Sequence, residues 1–131
     1  MVDTDQDSPT TIHGVKVLVC AAKGKRIESE RDVTDLIGKA YEHFCDFVVI
    51  PVDRLTDEFF QLKTRIAGEI AQKFVNYRIH LIVLGDISHH IEQSSAFASF
   101  VKESDRRAHL WFVPTLEKLQ DRLKFANQRG G

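Results

Sequence analysis

Cysteine is scarce in this chain. Among 131 residues there are two, Cys20 and Cys45, each set among apolar neighbours. So few cysteines build no disulfide framework, and the pair reads as buried free thiols in a reducing compartment. Net charge is lacking as well. Eighteen basic residues against nineteen acidic ones leave −1, so no global field points to nucleic acid or to a membrane surface. No apolar run approaches a membrane span. The opening "MVDTDQDSPTT" has neither the basic n-region nor the apolar h-region of a signal peptide. A cytoplasmic location is the expectation.

Catalytic and metal signatures are absent in the same way. Neither H-x-x-x-H nor C-x-x-C spacing occurs, and there is no G-x-S-x-G, glycine-rich phosphate loop or dinucleotide fingerprint. His89 and His90 are adjacent, and neighbours in sequence point to different sides of a helix or strand. They read as surface or capping histidines rather than metal ligands. His43 and Cys45 flank Phe44, which falls on the core face of a helix, so they do not read as a nucleophile pair. No metal and no cofactor is expected.

What the chain does contain is a regular alternation. Hydrophobic residues make up 43% of it, with nine phenylalanines, enough for a core without staples. "GVKVLVCAA" reads as a strand and "KGKR" as a turn or hairpin connection around Gly24. Ser29 and Asp32 form an S-x-x-D capping pattern before a helix whose stripe is Val33, Leu36, Ile37, Ala40, Tyr41 and Phe44. "FVVIPV" is a short buried strand, followed by a long helix that opens with "FFQLKTRIAGE" and runs to about Tyr77. "HLIVLG" is a strand stopped by Gly85. Ser94 and Ser95 can cap a helix carrying Phe97, Phe100, Val101 and Ser104 on one side. "LWFV", ended by Pro114, is the last strand, and the final helix carries Leu116, Leu119, Leu123 and Ala126.

Strands apolar on both faces that alternate with amphipathic helices imply a parallel sheet with crossover helices. The fold class is therefore α/β: a compact single-domain sandwich, its mostly parallel sheet having about four to five strands with about four helices. "TIHGVKV" and "KGKRI" can add an antiparallel edge. Residues 1–11 read as a loose leader, 12–127 as the domain and 128–131 as a frayed tail. The end "NQRGG" resembles modifier tails in letters only. "KGKR" and "DRR" are interleaved with acids and read as solvated turns rather than an anion patch.

Ligands of such sheets gather at the carboxyl ends of the strands. Asp53 and Arg54 follow one strand, while Asp86, Ser88, His89 and His90 follow another. The start of the long helix brings Lys63 and Thr64. At the helical repeat, Lys63 shares a stripe with Phe59, Ala67, Ile70 and Phe74. Three readings remain open. Its stem can lie over apolar neighbours while the ammonium reaches water. It can face an anion beside a helix start. Or it can pair with Asp53 or Asp86. Thr64 reads as a plain helix residue or as a second N-cap after a turn formed by "DEFF".

The stretch "LTDEFFQLKTRIAGEIAQKFVNYRIHLIVLGDIS" resembles the core motif of a small bacterial family catalogued as a domain of unknown function. The matching positions include Phe59, Phe60, Leu62, Lys63, Thr64, Ala67, Gly68, Glu69, Gln72, Lys73, Phe74, Asn76, Tyr77, Arg78, Gly85 and Asp86. That family often has glycine after the Lys-Thr pair, where this chain has Arg65. The element order is also similar to the STAS fold of anti-sigma factor antagonists, which implies a phosphorylatable residue at the position of Thr64. Together these imply a bacterial, non-enzymatic regulatory or protein-interaction module with an unidentified protein partner. The alternative is a small-molecule or anion binder, or a modest enzyme, using a pocket near Lys63 and Asp86. A homodimer burying helix faces is compatible with both.

Overall fold

The computed structural model describes residues 7–107 and 110–130, with side chains described over 7–106 and 110–125. The sheet has five strands in the order β1-β2-β3-β4-β5. Strands β1 (Ser8–Ile12) and β2 (Val15–Val19) form an antiparallel hairpin at one edge. His13 and Gly14 turn it with φ values of 50° and 80°. Two consecutive positive φ values match the right-handed twist of the strands, which is why glycine sits there. Strands β3 (Phe47–Pro51), β4 (His80–Leu84) and β5 (Leu110–Val113) continue from β2 in parallel.

The crossovers are α1 (Glu30–Glu42), α2 (Ile66–Asn76) and the pair α3 (Ser88–Gln93) and α4 (Ser95–Arg107); α5 (Leu116–Gly130) closes the chain. One core gathers Val33, Leu36 and Ile37 of α1, Ala67, Ile70 and Phe74 of α2, and Phe97 of α4 against Leu18, Val48, Ile50, Leu81 and Val83. These helices therefore share one face of the sheet. The other face holds a smaller core in which Leu119 and Leu123 of α5 meet Val17, Val49, Ile82, Trp111 and Val113. Phe59, Phe74 and Phe97 are all but completely buried. Truncating one of them to alanine costs about 3–5 kcal/mol. The α/β sandwich with a mostly parallel sheet is thus as expected.

Several local expectations are corrected. Ser8–Thr11, assigned to the leader, form most of β1, because their half-buried alternation pairs with Val19 to Lys16 of β2. Helix α5 continues to Gly130, three residues into the stretch assigned to the tail. "KGKRI" adds no strand; Ile27 makes a single parallel bridge to Leu55. The α1 stripe ends early. Tyr41, still within α1, is 53% exposed with its hydroxyl donating to the Tyr77 carbonyl, and Phe44 is 77% exposed because it adopts φ 58° just past the helix end. There the Cys45 N–H donates to the Ala40 carbonyl, a C-terminal motif that turns the chain out of the helix and Phe44 into solvent. The capping box at α1 is present in both directions: Ser29 accepts from the Asp32 amide and Asp32 accepts from the Ser29 amide.

The long helix is the main difference. It begins at Ile66, not near Phe59. Asp57–Phe60 and Leu62–Thr64 are separate 3-10 turns, and Arg65 stands at φ 65° between them and α2. A left-handed residue breaks the helical repeat, so positions 59 and 63 do not share a stripe with 67, 70 and 74.

Candidate functional site

The carboxyl edge of the sheet is built from the segments after β2, β3 and β4. Gly85 ends β4 with φ 141°, and a Cβ there would stand 2.7 Å from Val52. Glycine lets the turns after β3 and β4 run close together. Asp86 then organises the next turn. Its carboxylate accepts from the Ser88 amide at 2.9 Å and from the Ser88 hydroxyl, and these bonds, the hydroxyl first, hold it below the usual carboxylate range. Asp86 and Ser88 therefore bind each other. Lys63 has no side-chain partner among the described residues, so its proposed pairing with Asp86 or Asp53 is not what the geometry shows.

Lys63 is exposed on the rim of a cleft of about 640 Å³ between the 3-10 turns after β3 and the α3–α4 junction after β4. Phe60, His90, His89, Gln61 and Gln93 also line it, as does Asp57. Asp53, Asp86 and Ser88 are not among its lining residues. His90 lies parallel to the Phe60 ring, 3.8 Å between centroids and 6° between planes. Phe60 is anchored edge-on to buried Phe97 at 5.6 Å. Burial lowers the His90 pKa, nearby His89 adds to that, and Asp57 opposes it. The imidazole is thus held toward its neutral form, able to donate from one nitrogen and accept at the other. His90 is partly exposed and lines the cleft with one face of its ring covered by Phe60. Adjacency in sequence gave no hint of this, since the partner ring lies thirty positions upstream.

Thr64, next to Lys63 in the last 3-10 turn, has its hydroxyl engaged. The Oγ lies 2.7 Å from both the Glu58 and Gln61 carbonyls, which share its one proton, and it accepts from the Ile66 amide. It ties the 3-10 turns to the start of α2, a local capping role. Arg65 occupies the left-handed region that glycine enters without cost.

The segment after β2 is organised by Arg54, which is buried. Its Nε donates to the Lys25 carbonyl at 2.6 Å, and its Nη1 to the Ala21 carbonyl at 3.0 Å and the Asp7 carboxylate at 2.7 Å. Cys20, next to this network, has its thiol pushed up to about 12, by burial first and then by the Asp7 charge. Cys45 is also raised, mainly by burial, and its thiol points to the His43 backbone carbonyl, not the imidazole. Both cysteines are free and buried, and neither is poised as a nucleophile. Among the described residues, no three His, Cys, Asp or Glu side chains come together to hold a metal ion. No helix among them is long and apolar enough to cross a membrane.

With this geometry in place, comparison with known families is informative. The model of the DUF4180 family, a domain of unknown function, matches residues 12–123. The chain belongs to the DUF4180 family. The matched span contains β2 to β5, the whole Lys63 cleft and Arg54. Neither a curated protein nor a solved structure matches the chain.

Proposed function

We propose that this DUF4180 chain is a non-enzymatic binding module whose Lys63 cleft receives a small anion with a flat apolar body. The observation that carries this is an exposed Lys63 ammonium, without a side-chain partner among the described residues, on the same concavity as the partly exposed His90 ring stacked on Phe60. His90, partly exposed and backed by buried Phe60, offers ring surface, and it and the two glutamines offer polar groups that fix orientation. The ammonium supplies the charge preference. A regulatory role for such binding is supported by the STAS-like element order and by Thr64 standing just ahead of α2, after the central strand. Because the Thr64 hydroxyl is engaged in tying the 3-10 turns to α2, the contact role falls to Lys63, and a change at Thr64 would act by loosening those turns.

Titration of 15N-labelled protein with benzoate, and separately with inorganic phosphate, tests this. Saturable shifts at Lys63, His89 and Gln93 under benzoate, lost in Lys63→Glu with the fold intact, are expected. Shifts that are absent, or unchanged in Lys63→Glu, would sink the reading.

A further inference from the structure

The contact between Asp7 and Arg54 has the form of a binding site occupied by the protein's own side chain. One oxygen of the Asp7 carboxylate accepts from two donors, the Ala21 amide at 2.9 Å and Arg54 Nη1 at 2.7 Å. Neither donor depends on Asp7 for its position. The Ala21 amide belongs to the segment leaving β2, whose path is set by the sheet: the Cys20 amide donates to the Val49 carbonyl of β3. The guanidinium is fixed independently by the Lys25 and Ala21 carbonyls. It also rests against Gly24, where a Cβ would come within 2.4 Å of the guanidinium carbon.

The acceptor is attached far less firmly than the donors. Asp7 immediately precedes β1, which is anchored from Ser8 onward by its pairing with Val19. Rotation about the Asp7 side-chain bonds removes the carboxylate without unpairing a strand. What it leaves is a buried arginine and a backbone N–H aimed at one point, at the carboxyl ends of parallel β2 and β3. A hollow of about 220 Å³ adjoins that point, lined by Arg54 and Asp7 with Lys25, Lys39 and Asp35. Buried donors of this kind bind oxyanions strongly when their own counter-charge is gone.

We propose that Arg54 Nη1 and the Ala21 amide form an oxyanion-binding site, and that the Asp7 carboxylate is its built-in competitor, displaced by the carboxylate or phosphate group of a ligand. This site is separate from the Lys63 cleft and does not rest on the function proposed there. A tethered competitor acts at an effective concentration of roughly millimolar or more. An incoming anion's apparent affinity is reduced by the fraction of molecules in which Asp7 has left, so with the pair formed about nine-tenths of the time or more, removing Asp7 tightens anion binding by about tenfold or more.

The test compares the wild-type chain with Asp7→Ala, titrated with sodium acetate and, separately, inorganic phosphate at constant ionic strength. Amide shifts at Ala21 and Gly24 are read. Asp7→Ala is expected to bind at least one of the two anions about tenfold or more tighter than wild type, to shift at Ala21, and to regain melting temperature as that anion saturates. Which anion acts distinguishes a carboxylate from a phosphate ligand. Asp7→Asn, which keeps the shape and removes the charge, replaces Asp7→Ala if the latter does not fold, with tighter binding than wild type again expected. Equal affinity in variant and wild type, or no saturable shift at Ala21, would overturn the proposal and leave Asp7–Arg54 as a structural ion pair. Lys63→Glu in the Asp7→Ala background should leave the Ala21 titration unchanged; its loss would mean that the anion binds in the other cleft.

Discussion

Replacing Gly24 by alanine should be disproportionately harmful for a surface-loop change. The new methyl carbon would stand 2.4 Å from the Arg54 guanidinium carbon and 2.5 Å from Nη1. Real Cβ atoms do not approach that closely, so one side must move. A lysine tip in water would swing away at little cost, but Arg54 cannot. It is only 5% exposed, and its bonds to Asp7, Ala21 and Lys25 hold it in place. Shifting it weakens a charge-assisted pair and strips two carbonyls of their donor. Hydrogen bonds to charged groups contribute about 1.5–3 kcal/mol each, and breaking a buried ion pair costs about 3–5 kcal/mol. Part is recovered as the displaced guanidinium reaches water, which leaves a net loss of about 3 kcal/mol. For a domain of this size that lowers the melting temperature by roughly 10 °C. Urea unfolding of wild type, Gly24→Ala, Asp7→Asn and the double variant measures it. Because both changes strike one network, their effects should fall short of additive by about 1 kcal/mol or more. A Gly24→Ala loss under 1 kcal/mol, or full additivity, would refute the claim that Arg54 is locked.

Three further outcomes are expected. Arg65→Gly should stabilise the chain by about 0.5–1 kcal/mol, since a non-glycine residue at φ 65° costs about 1–2 kcal/mol and the glycine chain gives part of this back in unfolded-state entropy; an unfolding midpoint that does not rise would count against it. Thr64→Val should cost about 1–2 kcal/mol by removing the hydroxyl that bridges Glu58, Gln61 and Ile66, and Thr64→Glu should cost more, both read by thermal melting. Because the His90 pKa is lowered below 6.5 in the folded state, its neutral form contributes stability that is complete above 6.5 and is lost as pH falls below that value through the lowered folded-state pKa. His90→Phe, which keeps the stack on Phe60, should flatten the decline of the urea midpoint between pH 7 and 5. An unchanged slope would assign that decline to other groups.

The strands, the capping box and the parallel sheet were legible in local pattern, because apolar runs and capping residues act over a few positions. Ser29 and Asp32 needed only each other, and Ser94 needed only the Phe97 amide. The 3.6-residue repeat failed at two places for one reason. Phe44 and Arg65 are ordinary side chains in left-handed conformations, and nothing in their chemistry announces a positive φ. Counting through Arg65 placed Lys63 on a buried stripe that does not exist. Counting through Phe44 carried the α1 stripe past the helix end.

By itself, the sequence determined the alternation of strand and helix, the faces to be buried and the edge where loops gather, since these follow from short-range periodicity. Tertiary structure decided the rest, because it depends on partners far apart in the chain. It set His90 against Phe60, paired Arg54 with Asp7 across forty-seven positions, and occupied Asp86 with Ser88 so that Lys63 stands open on the cleft. Which charged group is satisfied and which is left available is settled by distance in space, and no count along the chain supplies it.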